Sequence, residues 1–509
     1  MTNIASVNVE DGVVEHLGYD QSYRRVLRSV GSIALVLALA SPMAAILINS
    51  FYQIIYGGHW GLTWGWVIAC VFLFPQALTV AELCSSMPTN GAFYWYTAAL
   101  APPRFSKPLS FIAGWITTLS LFTSLASFAF ACASSYAVLI PVMVPTWTPT
   151  NPQMLAMALA ILALWALLNM LRFEKIAMVM VAISGVVLAT TAIFIVALPA
   201  SQAAQNISFA SGYTALLKYE NFSEWSRAVA VPFTFFTAFW SVTGWQSPCY
   251  VVEGIQNART TAPRAIIISF SAMATMGTIV CLICSFCLTD IEAAATDPSG
   301  FPLFTLILNL WGVKLGFTFL IIIVSTTIFG GSSLLFSSAC QIAAFARDGG
   351  LPYPHLFSYV HPGTSMPLYS TLLLVIGTVL ALLFSLSPVA GPIIYSLAVI
   401  MNVLVYLLPI GLRLVAPKER YTPGPWNLGR MSWPVAFCGF VTGCWLIVME
   451  TFPTTPNWTV ASFNYNWVVS LATMGIAALL WVCIGGNYKG INLEALRGMQ
   501  LNIDTEGVK

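Results

Sequence analysis

Charge is what this sequence has least of. Only 7% of its 509 residues are Asp, Glu, Lys or Arg, where a soluble domain carries about 25%. With 58% of its residues hydrophobic, the chain reads as an all-α polytopic membrane protein, with the lipid bilayer as its solvent. No basic stripe is present, so no nucleic-acid partner is expected. Histidine is scarce as well, with four in the chain, and His59, His355 and His361 fall in loops or at their edges. Lacking a His/Asp/Ser constellation or a cluster of metal ligands, the chain is not expected to be an enzyme or to hold a cofactor or metal.

Other features are missing too. No short apolar run with a cleavage site precedes the first apolar segment, so no signal peptide is expected. The eleven cysteines lie almost wholly in apolar runs and avoid the longer polar loops, which argues against a disulfide framework. Cys281, Cys284 and Cys287 share an i, i+3, i+6 spacing without histidine and read as small hydrophobes. The longest stretch between apolar segments, 200–228, is too short for a separate folded domain. Any function therefore resides among the helices.

What is present is a series of apolar runs. A crossing takes about 20 residues, and twelve segments qualify: 30–54, 62–84, 109–140, 153–171, 176–199, 229–252, 265–289, 316–345, 367–387, 391–413, 432–452 and 466–485. With the N-terminus in the cytoplasm, seventeen of the twenty Lys and Arg residues fall inside and only Lys218, Arg227 and Lys314 fall outside, as the positive-inside rule requires. Three Asn-x-Ser/Thr sequons, at Asn206, Asn221 and Asn457, then land in outside loops as candidate glycosylation sites. Trp60, Trp64, Trp147, Trp225, Trp311 and Trp458 cluster at outer ends as an aromatic belt. The chain divides into a cytoplasmic tail 1–28, a twelve-helix domain 29–487 and a cytoplasmic tail 488–509.

Two segments interrupt themselves at mid-depth. The sixth reads WSVTGWQSPCYVVE over 240–253 and places Gly244, Gln246 and Pro248 within five positions. The first carries Ser41 and Pro42 at the matching depth. Proline removes a backbone donor and glycine permits unwinding. In hydrocarbon a broken helix survives only where it lines a cavity or is buried in protein. The first and sixth segments open the two halves, about 29–199 and 229–413, of a ten-helix unit. Five is an odd number, so the halves are inverted relative to one another, with two accessory helices at about 432–485. Interrupted helices at matching positions of inverted repeats point to a central binding site for a small zwitterion or cation.

Three further stretches carry a family resemblance. AELCSSMPTNGAFYWY (81–96), AFARDGGLP (344–352) and GPWNLG (424–429) resemble signature loops of the amino acid–polyamine–organocation superfamily. The last, with Gly57-Gly58 ahead of Trp64-Gly65-Trp66, is similar to the fungal amino acid/choline transporter branch. The resemblance covers about 18–490. It implies a five-plus-five inverted-repeat fold with two additional helices, and secondary active transport of a small nitrogen compound: an amino acid, gamma-aminobutyrate, choline or a polyamine. It also implies a coupling proton. The chain departs from the branch where relatives often read Gly-Tyr-Asp, then His, then Glu-Glu. Here the series is Gly244-Trp245-Gln246, then Tyr250, then Glu253-Gly254, and a neutral Gln246 cannot carry a proton.

The expected substrate contacts are Ala40, Ser41, Pro42 and Met43 in the first break and Trp240, Gly244, Trp245 and Gln246 in the sixth segment, with Trp240 as an outer gate. Trp245 offers a ring face to a cation. Glu82, Glu253, Arg347 and Asp348 are inner-gate candidates. Thr118, Ser120, Thr123, Ser124 and Ser127 in the third segment read as helix-packing residues, and Glu450, near an outer end, as structural. The expected protein is a permease of the cell membrane, or alternatively of the vacuole. An exporter or specialised metabolite carrier of the same fold is the alternative function. A nutrient sensor that does not transport is disfavoured by the short tails.

Overall fold

A computed structural model describes residues 19, 21–387, 393–453, 455–460 and 463–496. Most of the expected tails 1–28 and 488–509, and positions 391 and 392 of the tenth segment, lie outside the described residues. All regular elements among the described residues are helical, and all eleven cysteines are free thiols.

Among the described residues ten stretches are long and apolar enough to cross a membrane. The first, Ser29–Ser86, has 58 residues. Straight, it would span about 87 Å against a hydrocarbon core of about 30 Å. It is not straight. It comprises α1 (Ser29–Ala40), α2 (Pro42–Trp60), a π-helical turn (Gly61–Gly65) and α3 (Trp66–Ser86). Ser41 breaks it once, and Gly58, at φ 57° and ψ −137°, breaks it again. There follow α4 (Phe93–Leu100), α5 (Pro103–Met143), α6 (Asn151–Leu168), α7 (Phe173–Ala204) and the loop helix α8 (Gly212–Leu217). The sixth segment is in pieces: α9 (Arg227–Phe233), α10 (Phe236–Ser241), α11 (Ser247–Tyr250) and a 3₁₀ turn (Val252–Gly254). The remainder is α12 (Ala258–Cys287), α13 (Ile291–Ala295), α14 (Pro302–Arg347), α15 (Pro354–Phe357), α16 (Leu368–Leu382), α17 (Ile393–Val415), α18 (Ser432–Met449) and α19 (Asn466–Ile484).

Burial sorts these helices. The most apolar window of Ser29–Ser86 is 89% buried, whereas those of α6 and α19 are 22% buried. A helix that is apolar all round and still exposes residues such as Val196 on α7 and Val482 on α19 faces lipid. The broken segments therefore sit innermost. The first packs on α14 and α12, and α18 closes against α3 and α17. Opposite the face that bears Arg347, the long loop after α7 lies on the end of α2. Trp60 N–H donates to Lys218 O at 3.2 Å and Phe222 N–H to Ile55 O at 2.8 Å.

Candidate functional site

The first break follows from local chemistry. Pro42 has no N–H for the carbonyl of Ala38, and proline disfavours the helical region for the residue before it. Ser41 accordingly adopts left-handed backbone, φ 38° and ψ 62°. Its hydroxyl replaces the missing donor, bonding Ala38 O at 3.1 Å. Met43 and Ala44 begin α2 next to the break, while α1 ends there with its carbonyl-rich, partially negative terminus.

The second break lies against the first. Val242 leaves helical geometry, and Gly244 turns to φ 79°. A β-carbon there would sit 2.3 Å from Leu39 Cδ2, so only glycine lets the two breaks touch. Gly330 of α14 does the same from another side: a β-carbon would lie 2.7 Å from both Ala38 O and Leu39 O. Pro248 sits in the first turn of α11, where no donor is required of it.

Between the breaks is a cavity of about 40 Å³, room for about three water-sized groups. Leu39, Ala40, Trp240, Gly244 and Gln246 border it, with Ser124 and Ser127 from α5 and Asn402 from α17. No ionisable side chain borders it. Gln246 Oε1 and Ser241 Oγ are buried and have no hydrogen-bond partner in the structure. Trp240 covers one end. Its Nε1 donates to Ser127 Oγ at 3.0 Å, and its ring packs 5.9 Å from Tyr395 and 6.0 Å from Phe128, centroid to centroid. Asn402 Nδ2 donates to Ser124 Oγ at 2.7 Å. Of the eight residues expected at the site, Ala40, Trp240, Gly244 and Gln246 border the cavity. Ser41, Pro42 and Met43 shape the break without reaching it. Trp245 borders a smaller adjoining cavity of about 20 Å³, its ring 5.0 Å from Tyr406.

Toward the arginine-rich face lies a charged cluster. Arg347 meets Glu253 with two nitrogens, at 2.9 and 3.1 Å. Asn90 and Glu253 bond reciprocally: Asn90 N–H to Glu253 Oε1 at 3.1 Å, and Glu253 N–H to Asn90 Oδ1 at 3.0 Å. Asp348 accepts from Tyr94, Trp95 and Tyr19 at 2.9, 3.0 and 2.7 Å. The Arg347 guanidinium lies 4.0 Å from the centre of the Tyr19 ring. Burial pushes the Asp348 carboxyl up, against the pull of Arg347 and the three donors. Glu253, Arg347 and Asp348 thus converge. Glu82 does not join them. It accepts from Ser432 at 2.7 Å, and Ser432 accepts from Arg413 at 2.8 Å, which ties α3 to α17 and α18.

Sequence reasoning missed Tyr19, Asn90 and Asn402, and assigned Ser124 and Ser127 to packing alone. Asn402, a polar residue inside an apolar run, was the visible signal. The sequon residues Asn206 and Asn457 are exposed, whereas Asn221 is half-buried, with its amide nitrogen bonded to Trp225 O at 2.7 Å.

A bundle of apolar helices whose two broken members meet at a small cavity has the architecture expected of a membrane transporter. The fold is that of solved transporters. An Eremococcus coleocola manganese transporter superposes with a TM-score of 0.52 at 13% identity, covering 95% of this chain and 97% of that one. The chain belongs to the amino acid permease family, whose sequence profile matches residues 27–486. Relatives include an uncharacterized amino-acid permease of Schizosaccharomyces pombe, 27% identical over 98% of this chain and 88% of its own. A GABA-specific permease of Saccharomyces cerevisiae is 25% identical over 98% and 87%. A putative polyamine transporter of Candida albicans is 23% identical over 91% and 84%.

Proposed function

We propose that this permease is a proton-coupled secondary transporter of a small amine or amino-acid-like substrate, working by alternating access. Its twelve crossings form a five-plus-five inverted repeat with two accessory helices, and both termini are cytoplasmic, in the cell membrane. The observation that carries the reading is the meeting of the two helix breaks at a cavity without charged side chains. The partially negative ends of α1 and α10, and the unpartnered Gln246 Oε1, supply acceptors for an ammonium group. The permease and transporter names of the relatives support the same substrate class. With Trp240 over the outer end and Glu253–Arg347 closing the inner one, import requires Trp240 to lift, then fall, before the inner pair parts. The inner-gate roles of Glu253, Arg347 and Asp348, and glycosylation at Asn206, Asn221 and Asn457, belong to this proposal.

The test is uptake of labelled gamma-aminobutyrate, choline, neutral and basic amino acids and putrescine into transport-deficient cells, with and without an uncoupler. Saturable, uncoupler-sensitive uptake of a small member is expected. No uptake of any, with the protein at the cell surface, removes the importer reading.

A further inference from the structure

We propose that Glu450 is the group that takes up and releases the coupling proton, an inference that rests on the transport reading above. Glu450 ends α18 at the face opposite Arg347. It is 7% exposed. Asn464 Nδ2 donates to the backbone carbonyls of Glu450 and Phe452 at 2.8 and 2.9 Å, which fixes the main chain there. Among the described residues no ion pair includes it. A carboxylate held largely out of water without an ion-pair partner is costly in its charged form.

Among the described residues no ion-pair partner approaches Glu450: in the 222–228 segment, whose Trp225 packs on Phe452 and Pro453, Glu224 meets Asn457 and Arg227 lies over the Tyr219 ring. On α3 and α17, the helices packed against α18, the charged groups Glu82 and Arg413 meet Ser432 at the other end of α18, about 27 Å away along the helix. The group facing Glu450 from α2 is Tyr52, which is within electrostatic reach of Glu450, Tyr56 and, from α17, Tyr395. Tyr52 also packs 4.4 Å from Phe236, ring to ring, at the start of α10. Glu450 therefore lies beside the outer halves of both broken segments, the elements that move when the cavity opens outward. Opening them admits water, and the acid returns toward the ordinary carboxyl range. Closing them buries it. Because burial favours the neutral acid, the closed state holds more protons than the open one, so acid outside favours closure. The proton is loaded as the substrate is enclosed.

The experiment uses the full chain in proteoliposomes, with labelled gamma-aminobutyrate, choline and putrescine as probes. Counterflow exchange at equal pH is measured beside accumulation driven by an inward proton gradient. Glu450→Gln is expected to exchange but not to accumulate, and to lose the pH dependence of closure. Glu450→Asp is expected to accumulate with a shifted pH profile. Accumulation by Glu450→Gln with the wild-type profile overturns the proposal. So does loss of both exchange and accumulation in a variant that folds and reconstitutes normally. Wild-type protein that moves none of the probes overturns the transport reading instead.

Discussion

At the scale of single residues, the site depends on atoms that are missing as much as on those present. Gly244 has no β-carbon where one would meet Leu39. Gly244→Ala combines that overlap with left-handed backbone, which costs a non-glycine residue about 1–2 kcal/mol. Loss of uptake is expected even where a surface label shows the protein delivered. Gln246 offers an acceptor with no partner. Gln246→Leu keeps the bulk and removes one hydrogen bond to substrate, worth about 1 kcal/mol, so a several-fold rise in KM is expected from initial uptake rates. An unchanged KM would remove Gln246 from the substrate contacts. Tyr19 carries a hydroxyl for Asp348 and a ring for Arg347. Tyr19→Phe keeps the ring and is expected to weaken the inner closure less than Tyr19→Ala, as read by labelling of a cysteine placed in the inner path.

At the scale of elements, the interruptions were legible and their partners were not. Ser41-Pro42 and Gly244 announce themselves because the chemistry that breaks a helix is local: a missing N–H, a missing β-carbon. Helix positions were legible for a similar reason, since a crossing requires a run of apolar side chains. What α1 and α10 rest against depends on residues far away in the chain. Ser124 meets Asn402 across 278 positions and Trp240 meets Ser127 across 113, and no local pattern encodes such pairings. Tyr19 joins Asp348 across 329. The spread of the expected site over Ser41, Pro42, Met43 and Trp245 has the same cause: sequence locates the break, but not which side of it faces the cavity. Gly330 shows how tight the fit is. Gly330→Ala pushes a methyl toward two backbone oxygens of the first break, which cannot swing aside as a side chain would. Reduced uptake is expected with normal delivery to the membrane, and wild-type uptake would show that the break has slack.

At the scale of the whole molecule, the two proposed closures on either side of the cavity are built differently. Trp240 is held by one hydrogen bond and by ring packing, whereas the inner end has a buried ion pair, an aromatic lid and three donors on Asp348. Arg347→Ala leaves Glu253 buried and unpaired, a change that typically costs about 3–5 kcal/mol. The path at that end is then expected to open without substrate, detected as substrate-independent labelling from the side that bears Arg347. Labelling that still requires substrate would show that the ion pair does not hold the gate. The cavity between these closures has a consequence for the membrane voltage. Its lining among the described residues carries no fixed charge, so in the proposed alternating-access cycle an empty cavity turns over without moving charge through the field. A cavity loaded with a cation moves that charge, and each elementary charge that crosses 100 mV is worth about 2.3 kcal/mol. A negative interior therefore pulls the loaded step inward and leaves the return step of the cavity untouched.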